Sequence, residues 1–90
     1  MGKLISVGFG NVVNTDKIVA IVSTDGAPIK RMIQIAKDES RAVDATHGRK
    51  TRAIIVTESN HLILSALLPE TLTNRYQDLG TNIEKEEFYE

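Results

Sequence analysis

The stretch TRAIIVTESNHLILSAL, residues 51–67, decides the fold of this chain. Two runs of mostly apolar residues, several of them β-branched, flank the polar triplet Glu58-Ser59-Asn60. This spacing predicts a β-hairpin, with the second run as the antiparallel partner of the first. We therefore expect strands over residues 51–57 and 61–67.

The segments before this hairpin predict further strands. Residues 3–8 form the first, and residues 8–16, rich in glycine and asparagine, form a loop that holds a short strand at Val12-Val13. Residues 17–23 are nearly all apolar after Lys17, which is typical of a strand covered on both faces. A short strand or strand entry follows at residues 43–46.

Two helices complete the predicted fold. The first begins at Pro28, since proline fits a first helical position, and fades near residues 38–41. Its apolar stripe consists of Ile29, Met32, Ile33 and Ala36. The second opens at Pro69, with a thin stripe of Leu72, Tyr76 and Leu79 and a stop at Gly80. The predicted class is α/β, more narrowly α+β, with a small antiparallel or mixed sheet.

Length and composition place the chain among single-domain proteins. The chain has 90 residues, and we expect one domain over residues 1–80 and a charged, frayed tail over residues 81–90. Aromatic residues make up only 4% of the chain, which argues against a platform that stacks unpaired bases.

The chain has no cysteine, which excludes disulfides, iron–sulfur clusters and thiolate zinc sites. No apolar run is long enough for a signal peptide or a bilayer span, so we expect a cytoplasmic, nucleoid-associated protein without a membrane partner.

The net charge of −1 conceals an asymmetry. Residues 81–90 carry four glutamates and one lysine, a net −3, which leaves +2 for residues 1–80. Within a dozen positions, Arg41, Arg49, Lys50 and Arg52 are opposed only by Asp44. A local basic cluster of this kind is more informative about binding partners than the net charge of the chain.

The segment HGRKTR, residues 47–52, is the main candidate for a binding site. It predicts a hairpin tip with two cations on the turn and a third at the start of the next strand. Arg49 and Arg52 suit bidentate contacts to phosphate or guanine, Lys50 acts as a point charge, and the hydroxyls of Thr46 and Thr51 can add hydrogen bonds. The alternative is an ordinary solvated tip.

Lys30 and Arg31 are a second candidate for a DNA-binding site. They fall near the start of the first helix, where the positive end of the helix dipole disfavours cations unless an anion is bound. The alternative is an exposed helix face.

Other chemistry finds little support in the sequence. His47 and His61 lack the spacing of metal ligands, and no serine lies in a nucleophile elbow. The segment Gly8-Phe9-Gly10-Asn11 lacks the spacing of a phosphate-binding loop and predicts a turn anchored by Phe9, which in an oligomer could fill a neighbour's pocket. We expect no enzymatic activity, metal, cofactor or small-molecule substrate.

Several ordered blocks resemble one known family. They are FGN (residues 9–11), APIKRMI (27–33), DATHGRKTR (44–52), and HLILSA with Pro69-Glu70 (61–66 and 69–70). Over about residues 3–76 the chain is similar to the RemA family of bacterial activators of extracellular-matrix (biofilm) genes. The acidic tail lies outside the resemblance.

The resemblance implies a domain related to the LytTR type of DNA-binding domain. It implies subunits in a ring, an octamer by analogy, that binds double-stranded promoter DNA along its outer surface. The family's DNA-contacting positions correspond to Arg49, Lys50, Arg52 and Lys17. Lys17 and Lys50 stand where arginine is usual, and His47 stands where an aromatic residue is expected. Phe9, Asn11 and Pro28 are then assigned to oligomer or structural roles.

Two other classes of function remain open from the sequence. One is a protein–protein scaffold in which the cations serve solubility. The other is a small-ligand or nucleotide-binding module that uses residues 8–11. Salt-dependent DNA binding, solution size and calorimetry with a phosphate compound discriminate the three.

Overall fold

The computed structural model describes residues 3–77, which contain six strands and two α-helices. The strands are β1 (Leu4–Gly8), β2 (Asn11–Asn14), β3 (Ile18–Ser23), β4 (Ala42–Asp44), β5 (Ala53–Thr57) and β6 (Leu62–Ser65). The helices are α1 (Ala27–Asp38) and α2 (Pro69–Gln77), and a short 3-10 turn (Thr15–Lys17) leads into β3. The predicted α+β class with two helices is confirmed.

A four-stranded mixed sheet, in the order β3-β5-β6-β4, forms the centre of the fold. The predicted hairpin of β5 and β6 is confirmed, with Ile54 opposite Leu64 and Ile55 opposite Ile63. β3 pairs antiparallel with the free side of β5, and β4 pairs parallel with β6. The hairpin therefore lies in the middle of the sheet, and β3 and β4 form its edges.

Alternate residues of β5 pack into two different cores, because successive side chains of a strand point to opposite faces. Ile54, Leu62 and Leu64 pack against the apolar stripe of α1, where Ala36 is fully buried. Ala53 and Ile55 face the other way, toward Val7, Val13 and Leu72 of the β1–β2 hairpin and α2. The sheet thus separates α1 on one face from α2 and the β1–β2 hairpin on the other.

The prediction that residues 17–23 are covered on both faces is wrong for this chain. No residue of β3 is fully buried, and Val19 is 65% exposed. The apolar run indicated a strand, but the strand order places β3 at an edge and gives the doubly covered position to β5. Edge and central strands differ in their long-range partners, which a local apolar run does not specify.

The predicted first strand and the short strand at Val12-Val13 are both confirmed, and they pair as a separate hairpin. Ile5 lies opposite Val13, and a register shift between Ser6 and Gly8 leads into the turn at residues 9–10. Phe9 has a positive φ of 55° in this turn. The hairpin packs on the sheet through Val7 and Val13, which fixes the position of Phe9 relative to the sheet.

The first helix forms as expected, with Pro28 in its first turn and its end at Asp38. The second helix differs from the prediction on its buried face. Leu72 is fully buried, but Tyr76 is 46% exposed and Arg75, only 5% exposed, takes the buried position. The Arg75 guanidinium donates from Nη1 to the backbone oxygen of Ser6 at 3.2 Å, so α2 is tied to β1 by a buried cation. Leu79, Gly80 and the predicted tail lie outside the described residues.

Candidate nucleic-acid interface

Residues 45–52, which connect β4 to β5, form what we call the basic segment. The prediction that its cations lie on a hairpin tip is wrong, because β6 lies between β4 and β5. The segment instead crosses the carboxyl end of β6. Ala45 N donates to Leu64 O at 2.9 Å at its start, and Arg52 N donates to Ser65 O at 2.8 Å at its end. Both ends are therefore fixed to a central strand, and the three cations of the segment are exposed.

A side-chain turn at the start of the basic segment sets its direction. Asp44 Oδ1 accepts hydrogen bonds from Thr46 N at 2.8 Å and from Thr46 Oγ1 at 2.6 Å. The two bonds hold the pKa of Asp44 below its usual value, with the larger contribution from the side-chain bond. The nearby positive charge of Lys37 acts in the same direction. Thr46 is only 2% exposed, so its hydroxyl serves the turn and does not reach a phosphate, contrary to the expectation from the sequence.

The aromatic turn of the β1–β2 hairpin meets the basic segment. The rings of Phe9 and His47 are stacked with centroids 5.1 Å apart and planes inclined by 16°. The guanidinium carbon of Arg49 lies 5.5 Å from the Phe9 ring centroid, within cation–π range. The imidazole of His47 thus supplies a flat ring at a position where the resemblance led us to expect an aromatic residue. The Phe9 ring, which the sequence suggested for the pocket of a neighbouring subunit, contacts His47 and Arg49 of its own chain.

Three predicted cations share one surface concavity, which we call the cationic hollow. It has a volume of about 360 Å³ and is lined by Arg49, Lys50, Arg52 and Ala66. All three cations are exposed. Apart from the contact of Arg49 with Phe9, no hydrogen bond, ion pair or ring contact occupies these three side chains within the described part of the chain. The hollow therefore presents concentrated positive charge that an anion can neutralise.

A second concavity connects the cationic hollow to the start of α1. Its volume is about 310 Å³, and Lys30 and Lys50 both contribute to its wall. The other lining residues are Thr24, Asp25, Gly26, Ile33 and Thr51. Lys50 thus belongs to both concavities, and the second one combines the cations Lys30 and Lys50 with the carboxylate of Asp25. Arg31 is exposed on α1 but does not line this cavity.

Lys17 lies apart from the other predicted DNA-binding residues. It precedes Ile18, which pairs with Thr57 at the end of β5, whereas Arg52 precedes the start of β5. Glu58 N donates to Lys17 O, and Glu58 lies six residues after Arg52, so the backbones of Lys17 and Arg52 are roughly 20 Å apart at the rise of an extended strand. Lys17 Nζ forms an exposed ion pair with Glu58 Oε1 at 3.0 Å.

Asn11 and Pro28 act on local backbone geometry. The Asn11 side-chain amide donates to the backbone oxygens of Gly8 at 3.0 Å and Phe9 at 3.4 Å, which closes the β1–β2 turn. Pro28 lies two residues after the N-cap Gly26, whose φ of 97° allows the sharp entry into α1. Residues 8–11 therefore form a hairpin turn stabilised by Asn11.

The two histidines serve separate turns. His61 Nδ1 lies 2.8 Å from Ser59 Oγ in the β5–β6 turn, while His47 stacks on Phe9. No group of three or more potential metal ligands occurs within residues 3–77. Over the same range, neither helix combines the length and apolar character that a membrane span requires.

Comparison with known proteins defines the class of the chain. A relative from Kosmotoga olearia is 55% identical over 85 residues, covering 94% of this chain and 86% of its own length. Another from Clostridium acetobutylicum is 56% identical over 82 residues, covering 89% of both chains. A third from Brevibacillus brevis is 59% identical over 73 residues, covering 81% of this chain and 85% of its own. All three relatives are named as regulatory proteins.

The family follows from a match to its sequence model. Residues 4–76 match the model for RemA-like proteins, described as extracellular matrix regulatory protein A-like. The chain belongs to the RemA-like family, which confirms the resemblance read from the sequence. The match ends before the acidic tail and includes β1 through most of α2, together with the whole basic segment.

Proposed function

We propose that this chain is a DNA-binding transcriptional regulator that acts as a ring-shaped homo-oligomer and activates extracellular-matrix genes. Each subunit contributes a few phosphate contacts, and the closed assembly repeats them along a duplex that follows its outer surface. The one observation that carries the proposal is the cationic hollow, where three exposed cations that have no acidic partner within residues 3–77 lie on a basic segment fixed to the central sheet.

The chemistry of the cationic hollow suits a polyanion. The guanidinium groups of Arg49 and Arg52 can each bind phosphate through two parallel hydrogen bonds, and Lys50 adds a point charge. Lys30 adds a further cation in the neighbouring concavity, which it shares with Lys50 and Asp25. Such contacts position a protein on DNA, and each neutralised phosphate adds about −0.9 to the slope of log K against log salt.

An exposed apolar groove supports assembly of several copies. It lies between β3 and α2, has a volume of about 360 Å³ and is lined by Ile18, Val19, Ala20, Ile21, Thr73, Tyr76 and Gln77. Val19 and Tyr76 are large hydrophobic residues of this lining that are exposed, at 65% and 46%. Exposed apolar surface of this kind is typical of protein–protein contacts, and linking weak sites raises avidity about 10²–10⁴-fold. We propose that a neighbouring copy covers this groove in the ring.

The relation to LytTR-type DNA-binding domains and the octameric subunit number remain predictions from the resemblance. Neither is needed for the binding surface itself. What the surface requires is that the cations of successive subunits face the same way, which any closed ring with one repeated interface provides.

A paired charge-removal experiment tests the proposal. Arg49→Ala/Arg52→Ala removes two cations from the cationic hollow, and Lys3→Ala/Lys85→Ala removes two cations outside the basic segment. Fluorescence anisotropy with a labelled duplex is measured across a salt series, and light scattering gives the size of each assembly. We expect the first pair to abolish binding at moderate salt and leave assembly intact, while the second pair changes binding only slightly.

The outcomes separate the proposed function from the other classes. Equal loss from both pairs means that general charge, and not the cationic hollow, governs binding. An assembled protein that ignores duplexes even at low salt supports a scaffold. A monomer that binds a phosphate compound in calorimetry supports the small-ligand module. Either of these last results overturns the proposal.

A further inference from the structure

We propose that Phe9 is a positioning residue for DNA binding, which fixes the Arg49 guanidinium at the edge of the cationic hollow. This inference rests on the proposed function, since it concerns how that surface reaches a duplex. It is carried by the juxtaposition of the Phe9 ring, from the β1–β2 turn, with His47 and Arg49 of the basic segment.

Backbone strain indicates that the stack is maintained at a cost. Phe9 and His47 both have φ values of 55°, in the left-handed region that residues with side chains rarely adopt. Neither is a glycine or asparagine, the residues best suited to such positions. Strained conformations of this kind persist only where the surroundings impose them, and they cluster at functional sites. Ser40 and Asn60 also have positive φ within residues 3–77, but only Phe9 and His47 combine it with stacked rings.

The support behind Phe9 makes it a fixed point. The side-chain amide of Asn11 holds the backbone oxygens of Gly8 and Phe9. Two residues before Phe9, the backbone oxygen of Val7 accepts a 2.8 Å hydrogen bond from the buried hydroxyl of Ser65, at the end of β6. The ring is therefore anchored to the same central strand whose end the basic segment crosses.

Arg49 is distinguished from its neighbours by this contact. Within residues 3–77, the side chains of Lys50 and Arg52 make no hydrogen bond, ion pair or ring contact, whereas Arg49 lies over the Phe9 ring. A side chain that binds loses rotamer freedom, and one already held by a ring has lost part of it before the ligand arrives. Positioning by Phe9 therefore favours Arg49 specifically.

A double-mutant cycle tests the proposal. Phe9→Leu keeps apolar bulk without a π face, and Phe9→Tyr keeps the ring as the conservative rescue. We expect Phe9→Leu to weaken binding of a fluorescein-labelled duplex by about two- to fivefold, the range of an exposed cation–π contact. Phe9→Tyr restores it. In an Arg49→Ala background Phe9→Leu has no further effect, while in an Arg52→Ala background its full effect remains.

Two results overturn the positioning role. The first is an unchanged affinity in Phe9→Leu. The second is an equal loss in the Arg49→Ala and wild-type backgrounds, which means that Phe9 acts through the fold and not through Arg49. Thermal melts and light scattering of each variant identify any loss of folding or assembly.

A second measurement does not depend on DNA. In the free protein, NMR resonances of the Arg49 side chain carry a ring-current shift from Phe9 that persists in Phe9→Tyr and disappears in Phe9→Leu. If the wild-type chain shows this shift but binds no duplex, the proposed function is wrong, while the contact between Phe9 and Arg49 is confirmed. If the shift is absent from the wild type, the positioning proposal fails whatever the DNA result.

Discussion

Lys17 Nζ lies 3.0 Å from Glu58 Oε1, so a cation expected to contact DNA is paired with a carboxylate across the β3–β5 end of the sheet. Both side chains remain more than half exposed, which keeps this ion pair weak and exchangeable. A phosphate that approaches Lys17 must compete with Glu58. This relationship gives the predicted role of Lys17 a specific test.

Opposite charge changes at this pair should have opposite effects on DNA affinity. If Lys17 binds phosphate, Lys17→Ala weakens binding and lowers the magnitude of the salt slope by about 1 for each phosphate that is no longer neutralised. Glu58→Ala strengthens binding, because it frees the ammonium and removes a negative charge. Fluorescence anisotropy across a salt series measures both. Unchanged binding in both variants removes Lys17 from the interface.

The turn between Asp44 and Thr46 should make the stability of the fold depend on pH in the acidic range. The pKa of Asp44 is below its ordinary value of 3.8 in the folded chain, so the ionised carboxylate favours folding. That contribution is fully present well above pH 3.8 and is lost as the pH falls through the folded-state pKa. We expect Asp44→Asn to lower the melting temperature near neutral pH and to flatten its decline in acid. Asp25→Asn, an exposed charge-matched control, should keep the decline.

Removing the hydroxyl on the other side of this turn should cost stability, most of all where Asp44 is ionised, because its hydrogen bond is the largest cause of the lowered Asp44 pKa. Thr46→Val replaces a buried donor by a methyl group and leaves Asp44 Oδ1 with the backbone donor alone. We expect a loss of about 1 kcal/mol, which lowers the melting temperature of a domain this size by roughly 4–8 °C. An unchanged melt shows that the hydroxyl does not stabilise the basic segment.

The apolar groove should determine assembly. Val19→Asp places a charge on an apolar side chain of the groove that is 65% exposed, which costs little in a single subunit and much in a covered interface. We expect light scattering to show smaller species with an unchanged circular dichroism spectrum, and DNA affinity to fall about 10²–10⁴-fold as avidity disappears. Val12→Asp, on an exposed position of β2, is the matched control. A full-size assembly in Val19→Asp excludes this groove as the interface.

The order of elements and much of the local structure were predictable from the sequence. Period-2 and period-3.6 apolar patterns, Pro28 and the polar triplet at residues 58–60 specify strands, a helix start and a turn through contacts only a few residues apart. The second helix shows the limit of such patterns. Arg75 and Tyr76 both follow Leu72 at helical spacing, and only the packing of α2 against β1 buries the arginine.

The sequence by itself determined that Arg49, Lys50 and Arg52 cluster, that the segment carrying them is a turn, and that the family is RemA-like. Tertiary structure alone decided that this turn crosses the end of β6, that Lys17 lies at the far end of β5, and that Phe9 reaches Arg49. The reason is that strand order and the meeting of distant turns depend on contacts between residues far apart in the chain. Local propensity and spacing carry no direct record of those contacts.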